Sequence, residues 1–277
     1  MATGKERLGI IGVGAMGSAL LTGVLRQGLF APDQVIINDL DANRSAQVAK
    51  GAKVRAASSN LDVVDNADVL LLAVKPKDVG SVLGEIGQRL SARQLLLSIA
   101  AGIDLAFIEG RVSSGVPVIR VMPNTPCLVG RGAIALSPGR SVDNDTLDFG
   151  RRIFAAVGKV VIVDEPLMDA VTGLSGSGPA FVYTVIEALS DGGVAAGLPR
   201  SIADQLAVET VLGTAVMVAE TGEHPAKLRD MVTSPAGTTI AGMRVLEEGG
   251  IRSALIEAVL RATERSCQLG ETQRRQP

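Results

Sequence analysis

The segment LGIIGVGAMGSALLTGVL, starting at Leu8, sets Gly12, Gly14 and Gly17 in G-x-G-x-x-G spacing between an apolar run and an amphipathic one. No other feature constrains the fold as strongly. It predicts a parallel strand turning tightly into a helix: Gly12 permits the turn, Gly14 lets the backbone approach a pyrophosphate, and Gly17 allows close helix–strand packing. The start of that helix, at Ala15 and Met16, offers unpaired N–H groups and a positive dipole end to the anion.

The rest of the N-terminal stretch fits this reading. Apolar runs at 7–11, 34–38, 69–74, 94–99, 116–122, 132–137 and 159–163 alternate with helical patterns. Short, nearly continuous apolar strands between helices imply a parallel sheet covered on both faces, a doubly wound α/β fold. After VVIVDEP the strand pattern stops. Helices are expected around 178–197, 199–221, 224–231, 236–248 and 250–269, cut where Gly and Pro break the period. We therefore divide the chain into a Rossmann-like domain, 1–165, and an all-helical domain, 166–277. This agrees with 277 residues at ~150 per domain. The helical part, rich in Ala, Val and Leu, is expected to bury its apolar surface in a homo-oligomer.

Composition narrows the function. Lys and Arg number 27 against 29 Asp and Glu, and Tyr183 is the only tyrosine in a chain without tryptophan. Neither a basic footprint nor a base-stacking platform is present, so nucleic acid is not expected as a partner. No apolar run approaches the ~20 residues of a membrane span, and no secretory leader is read, so the expectation is a cytoplasmic protein without membrane contact. Cys127 and Cys267 form no disulfide framework or metal set, and both are expected as reduced core or interface thiols. His224 stands alone as a candidate ligand or base.

Cofactor candidates fall at strand ends. At the end of the second strand, VIINDLDANR carries Asn38, Asp39 and Arg44. Asn38 and Arg44 suit a 2′-phosphate, whereas Asp39 opposes one, so NADPH is favoured and NADH stays open. LLLAVKPKDV places Ala73, Val74, Lys75 and Pro76 at another carboxyl end, with Pro76 opening a helix at its first position. SIAAGI contributes Ala100, and RVMPNTP presents Asn124 on a proline-stiffened turn. In an open α/β sheet the ligand crevice lies outside these ends.

VTSPAGTTIAGM, 232–243, crowds a proline, two glycines and several hydroxyls before a helix. With Ser234 as N-cap and Pro235 at the first position, the N–H groups of Ala236, Gly237 and Thr238 lack intrahelical acceptors. Such a start suits a carboxylate.

IGVGAMGSA, AVKPKD, SIAAGI, RVMPNTP, LSGSGPAFVY and LRDMVTSPAGTTIAGM occur here in one order. In this the chain, from about 7 to 268, resembles the pyrroline-5-carboxylate reductases; ETQRRQP lies outside the resemblance and is expected to be disordered. The resemblance implies hydride transfer from NADPH or NADH to a cyclic imine, 1-pyrroline-5-carboxylate, giving L-proline. It implies a helical domain that dimerises by interleaving helices, decamers of five dimers, and a site shared with the partner subunit where the two domains meet. By the same resemblance Ser234, Gly237 and Thr238 hold the substrate carboxylate and Thr239 bonds the ring nitrogen as the catalytic contact. Ser175 and Ser177 serve the nicotinamide or substrate, or act as caps; Glu223 and His224 read first as a helix-start pair. One departure stands out: the family often has two glycines where this chain has Ala236-Gly237, so a positive φ at the first would strain the alanine.

Reducing a C=N bond asks for little acid–base machinery, because the imine nitrogen takes its proton from solvent before transfer. The related hydroxyacid dehydrogenases carry a catalytic lysine in G-x-x-G-x-G-x-x-x-K. Here Gly173, Gly176 and Gly178 are in register but Val182 replaces the lysine. A dehydrogenase of that type, or a non-catalytic NADP-binding regulator, are the alternatives.

Overall fold

The computed structural model describes residues 6–274. An eight-stranded sheet runs in the order β3-β2-β1-β4-β5-β6-β7-β8. In chain order its elements are β1 (Leu8–Ile11), α1 (Ala15–Arg26), β2 (Val35–Asn38), α2 (Ala42–Ala52), β3 (Arg55–Ala56), α3 (Asn60–Asp65), β4 (Val69–Leu72) and α4 (Pro76–Ile86). There follow β5 (Leu95–Ser98), α5 (Leu105–Glu109), β6 (Val118–Met122), β7 (Gly132–Pro138), α6 (Asn144–Ala155) and β8 (Gly158–Ile162). A short α7 (Met168–Val171) runs into a π turn, Thr172–Gly176.

Alternation along the strands builds two cores. Leu8, Ile10, Val69, Leu71, Leu95 and Leu97 pack on one face with Leu20, Val24 and Phe154 of α1 and α6. Ile11, Leu70, Leu72 and Leu96 pack on the other with Val63, Val79, Leu83 and Ile108 of α3, α4 and α5. Each fully buried side chain of this kind stabilises the fold by about 1.5–3 kcal/mol before entropy is counted. Burial on both faces is why the strands read as unbroken apolar runs.

All seven expected strands form, with two corrections. A two-residue strand, β3, pairs with β2 at the sheet edge. The sheet is not wholly parallel: β7 runs antiparallel to β6, then pairs parallel with β8. The connection 123–131 holds only a 3₁₀ turn, too short for the crossover that a parallel neighbour needs.

Compactness divides the chain at Ser177–Gly178 rather than at the expected 165–166. The segment after β8 stays with the sheet: Met168 is buried, and Glu165 accepts from the Leu105 N–H at 2.5 Å. Residues 261–274 also belong to this first unit, where the Ser266 hydroxyl donates to Asp169 at 2.6 Å.

The second unit, Gly178–Leu260, is helical: α8 (Gly178–Ala195), α9 (Arg200–Thr221), α10 (Pro225–Met231), α11 (Thr238–Glu248) and the first part of α12 (Ile251–Arg274). The final helix continues past the expected end at 269, so 271–274 of the segment expected to be disordered is helical; 275–277 lie outside the described residues. Buried Ala203 and Ala207 let α9 lie close to α8. The hairpin is fastened by buried Ser190, which bonds Asp204 and accepts from Arg200 at 2.8 Å. Among the described residues one helix, α9, is long and apolar enough to cross a membrane. It also carries Asp204 and Glu209, and leaves Ile202, Leu206, Leu212, Val216 and Met217 exposed.

Candidate functional site

The glycine turn is built as its spacing predicts. Gly12 has φ +96°, and a Cβ there would lie 2.7 Å from the Ala73 carbonyl oxygen, so glycine is required twice over. At Gly17 a Cβ would meet the Gly12 carbonyl oxygen at 2.1 Å. Gly14 differs. It caps α1 without a side-chain bond, and a Cβ there would find no protein atom within 4 Å. An open face beside the free N–H groups at the start of α1 fits a pyrophosphate. The Gly12 N–H donates to the Asn38 carbonyl and the Ala73 N–H to the Ile11 carbonyl, each at 2.8 Å. The turn, the end of β2 and Ala73–Val74 therefore sit together. Pro76 opens α4 at its first turn, with Lys75 exposed at its N-cap, and Ala100 is buried just beyond β5.

At the end of β2 the acidic residue is turned inward. The Asp39 carboxylate, 8% exposed, accepts from the Val13 N–H at 2.8 Å and the Asp41 N–H at 3.0 Å. Its outer oxygen pairs with Arg44 at 3.2 Å. Asp39 thus braces the glycine turn, and its charge is partnered. Asn38 donates to Asn60 at 2.8 Å, and Asn60 to Glu85 at 2.7 Å. Asn60 was missed from sequence; the Ser-Ser-Asn start of α3 beyond β3 was its one signal.

Asn124 departs from a ligand-facing role. It is 9% exposed, and both ends of its amide have protein partners. Nδ2 donates to the Ser175 carbonyl at 3.0 Å, and Oδ1 accepts from the Ala133 N–H at 2.9 Å. The Ser175 hydroxyl donates to the carbonyl of Val171, four residues back, at 3.0 Å, as a helix back-bond. Cys127 is in the core and its thiol is pushed up by burial. Cys267 is exposed in this chain rather than buried, with desolvation and then Asp169 raising its thiol.

In the helical unit the loop before α11 corrects the expected cap. Gly237, not Ser234, is the N-cap, and α11 starts at Thr238. Ser234–Gly237 forms a β-turn closed by the Gly237 N–H to the Ser234 carbonyl at 3.1 Å. A Ser-Pro-x-Gly sequence favours a β-turn with proline at its second position, and here the turn takes the positive φ of a type II turn at its third. Ala236 takes that third position at φ +56°, so the alanine is strained as the missing glycine implied. That conformation costs about 1–2 kcal/mol for an L-residue. The free helix-start N–H groups are consequently those of Thr238, Thr239 and Ile240. Gly237 itself has an ordinary φ of −78°, but a Cβ there would lie 2.2 Å from the Ser234 Oγ. Ser234 and Thr238 are exposed and Thr239 is half-buried. An open cleft of about 600 Å³ flanks the loop, lined in part by Arg229, Thr233, Ala236, Gly237, Ile240 and Arg244. His224 caps α10, its Nδ1 accepting from the Ala226 N–H at 3.2 Å, and Glu223 pairs with Lys227 at 2.7 Å. Both act as the helix-start pair. Val182 is exposed on α8.

Residues 165–269 match the family model described as pyrroline-5-carboxylate reductase dimerisation, and 7–102 match that described as NADP oxidoreductase coenzyme F420-dependent. The chain is 48% identical to the pyrroline-5-carboxylate reductase of Synechocystis, covering 96% of this chain and 98% of the relative. It is 46% identical to that of Methanosarcina acetivorans, covering 96% and 99%. Among solved structures, a pyrroline-5-carboxylate reductase from Coxiella burnetii superposes with a TM-score of 0.90 at 32% identity, covering 96% and 98%. The pyrroline carboxylate reductase of Plasmodium falciparum, with NADP bound, gives 0.87 at 32% identity, covering 97% and 100%. The chain belongs to the pyrroline-5-carboxylate reductase family.

Proposed function

We propose that this chain reduces 1-pyrroline-5-carboxylate to L-proline with NADPH, and does so by positioning rather than by an acid–base residue. The observation that carries the reading is 40–48% identity with such reductases over nearly the whole chain, through both units. NADPH, when bound, supplies the hydride that the imine carbon accepts.

The chain's own residues supply the rest. The start of α1, with Gly14 open beside Ala15 and Met16, holds the pyrophosphate. Gly12 and Gly17 keep the turn narrow, Asp39 braces it through Val13, and Ala73 to Pro76 and Ala100 shape the crevice alongside. Asn38 and Asn60, both uncharged, suit a 2′-phosphate at the end of β2, with Arg44 the nearby cation. This favours NADPH over NADH, because the carboxylate that would repel the phosphate is engaged elsewhere.

The substrate's carboxylate fits the N–H groups at the start of α11, with the hydroxyls of Ser234 and Thr238 beside them and Gly237 keeping the approach clear. The Thr239 hydroxyl bonds the ring nitrogen, which arrives protonated from solvent, so no base is required. Val182, where hydroxyacid dehydrogenases have lysine, agrees with this. The direct test follows absorbance of NADPH with the imine. A Thr239→Ala variant should lose on the order of 10–100-fold in kcat/KM, about 1.4–2.7 kcal/mol. Unchanged turnover would remove Thr239 from the mechanism.

The assembly is a homodimer, with five dimers as the larger form that the family resemblance suggests. The apolar residues left exposed on α9, and Val245, Leu246, Leu255 and Ile256 on α11 and α12, support a second copy as their cover. Sedimentation should return a dimer or a multiple of it; a stable monomer at micromolar concentration would overturn this. We place the enzyme in the cytoplasm, where its unpaired cysteines persist as thiols.

A further inference from the structure

The geometry points to Asn124 as a positioning residue: it holds the π turn Thr172–Gly176 against the carboxyl end of β6 and so fixes one wall of the crevice. The inference rests on the reductase reading above. Strands β1, β4, β5 and β6 are parallel, so their carboxyl ends open on one side of the sheet, where ligands of such folds bind. The glycine turn and Asp39 lie at β1 and β2, which leaves the β4–β6 side for the reacting end of a dinucleotide.

At that side the backbone departs from helix. The Ser177 N–H reaches back to the Thr172 carbonyl at 2.9 Å, a π-type bond, and such insertions recur at functional sites. A π turn leaves backbone groups out of the α register, so something outside the helix must satisfy and hold them. Asn124 does this across 51 positions of sequence, donating to the Ser175 carbonyl. It is itself oriented by the Ala133 N–H at the start of β7, so its amide is not free to flip. On the neighbouring position, Gly176 lies so near Met122 of β6 that a Cβ would come within 2.5 Å of its Cε. The same short stretch, 122–124, thus fixes the turn by a hydrogen bond and lays the flexible end of Met122 beside it.

Asn124→Asp isolates the donor half. The carboxylate keeps an acceptor for the Ala133 N–H but sets a second oxygen against the Ser175 carbonyl. Protonated, the carboxyl regains a donor. Burial raises the pKa of such a group, so the bond returns as pH falls. We expect kcat at pH 8 to fall on the order of 10²-fold relative to the parent. The ratio of variant to parent kcat should then climb as pH is lowered toward 5.5, while NADPH affinity by fluorescence stays within about twofold. Asn124→Ala, which removes the amide altogether, should lower kcat at every pH with NADPH affinity kept, and serves if the aspartate variant fails to fold.

Full activity in both variants, or a flat pH ratio in the aspartate variant, would overturn the positioning role. A loss of NADPH affinity equal to the loss of kcat would do so too, by making Asn124 a direct cofactor contact. A parent protein that fails to oxidise NADPH with the imine would instead sink the reductase reading.

Discussion

A Gly14→Ala variant should fold as the parent does and lose NADPH binding by about two orders of magnitude, near 2.7 kcal/mol. The added methyl meets no protein atom within 4 Å, and Gly14 has a φ of −66° and ψ of −167°, which alanine adopts freely. Nothing in the fold therefore opposes the substitution. What the methyl does occupy is the open face beside the start of α1, where a pyrophosphate would approach. The thermal midpoint should stay within a degree or two of the parent, because exposed changes that touch nothing shift stability by less than ~0.5 kcal/mol. Fluorescence titration with NADPH gives the binding arm and a thermal melt the stability arm.

The neighbouring glycines sharpen the contrast. Alanine at Gly12 or Gly17 would drive a methyl into backbone oxygen, so those changes unfold the turn itself. Parent-like affinity in the Gly14→Ala protein would show that the cofactor does not approach the chain there.

The three glycines show how much of the site was legible in sequence. Spacing and the flanking apolar runs fixed the turn, because each glycine answers a local backbone demand. The strands were legible for a similar reason: burial on both faces leaves an unmistakable apolar run. Strand direction was not, since periodicity is blind to it; only the short connection 123–131 held the clue to antiparallel β7. Two-residue β3 had no period to show. Asp39 and Asn124 stand out in the sequence as polar residues at strand ends and are expected to face the cofactor, whereas the folded chain turns Asp39 onto the glycine turn and Asn124 onto protein partners. Their partners, Val13 and Ser175, lie 26 and 51 positions away, and only the folded chain says which way each side chain turns.

The misplaced cap at 234 has a different origin. Ser234 satisfies the general preference for serine at a helix start, but the proline and glycine that follow favour a turn more strongly, and the helix waits until Thr238. This moves the free helix-start N–H groups two residues along the chain, from 236–238 to 238–240, and makes Gly237 the N-cap.

Gly237→Ala should lower kcat/KM for the imine by about 10–100-fold, or 1.4–2.7 kcal/mol, with NADPH affinity unchanged. Glycine is not needed there for backbone freedom; it is needed for room, since a Cβ would sit 2.2 Å from the Ser234 Oγ and 3.2 Å from the Ser234 carbonyl oxygen. The hydroxyl can rotate away, so the loop need not unfold, but it then leaves the face it shares with Thr238 and Thr239. If that displacement is the cause, Ser234→Ala alone should reproduce the loss. The double variant should then be no worse than either single one, the non-additive outcome expected when two changes remove one interaction. Losses that simply add would mean that Gly237 and the Ser234 hydroxyl act separately, and the loop's hold on the carboxylate would have to be assigned to the backbone N–H groups of α11 alone.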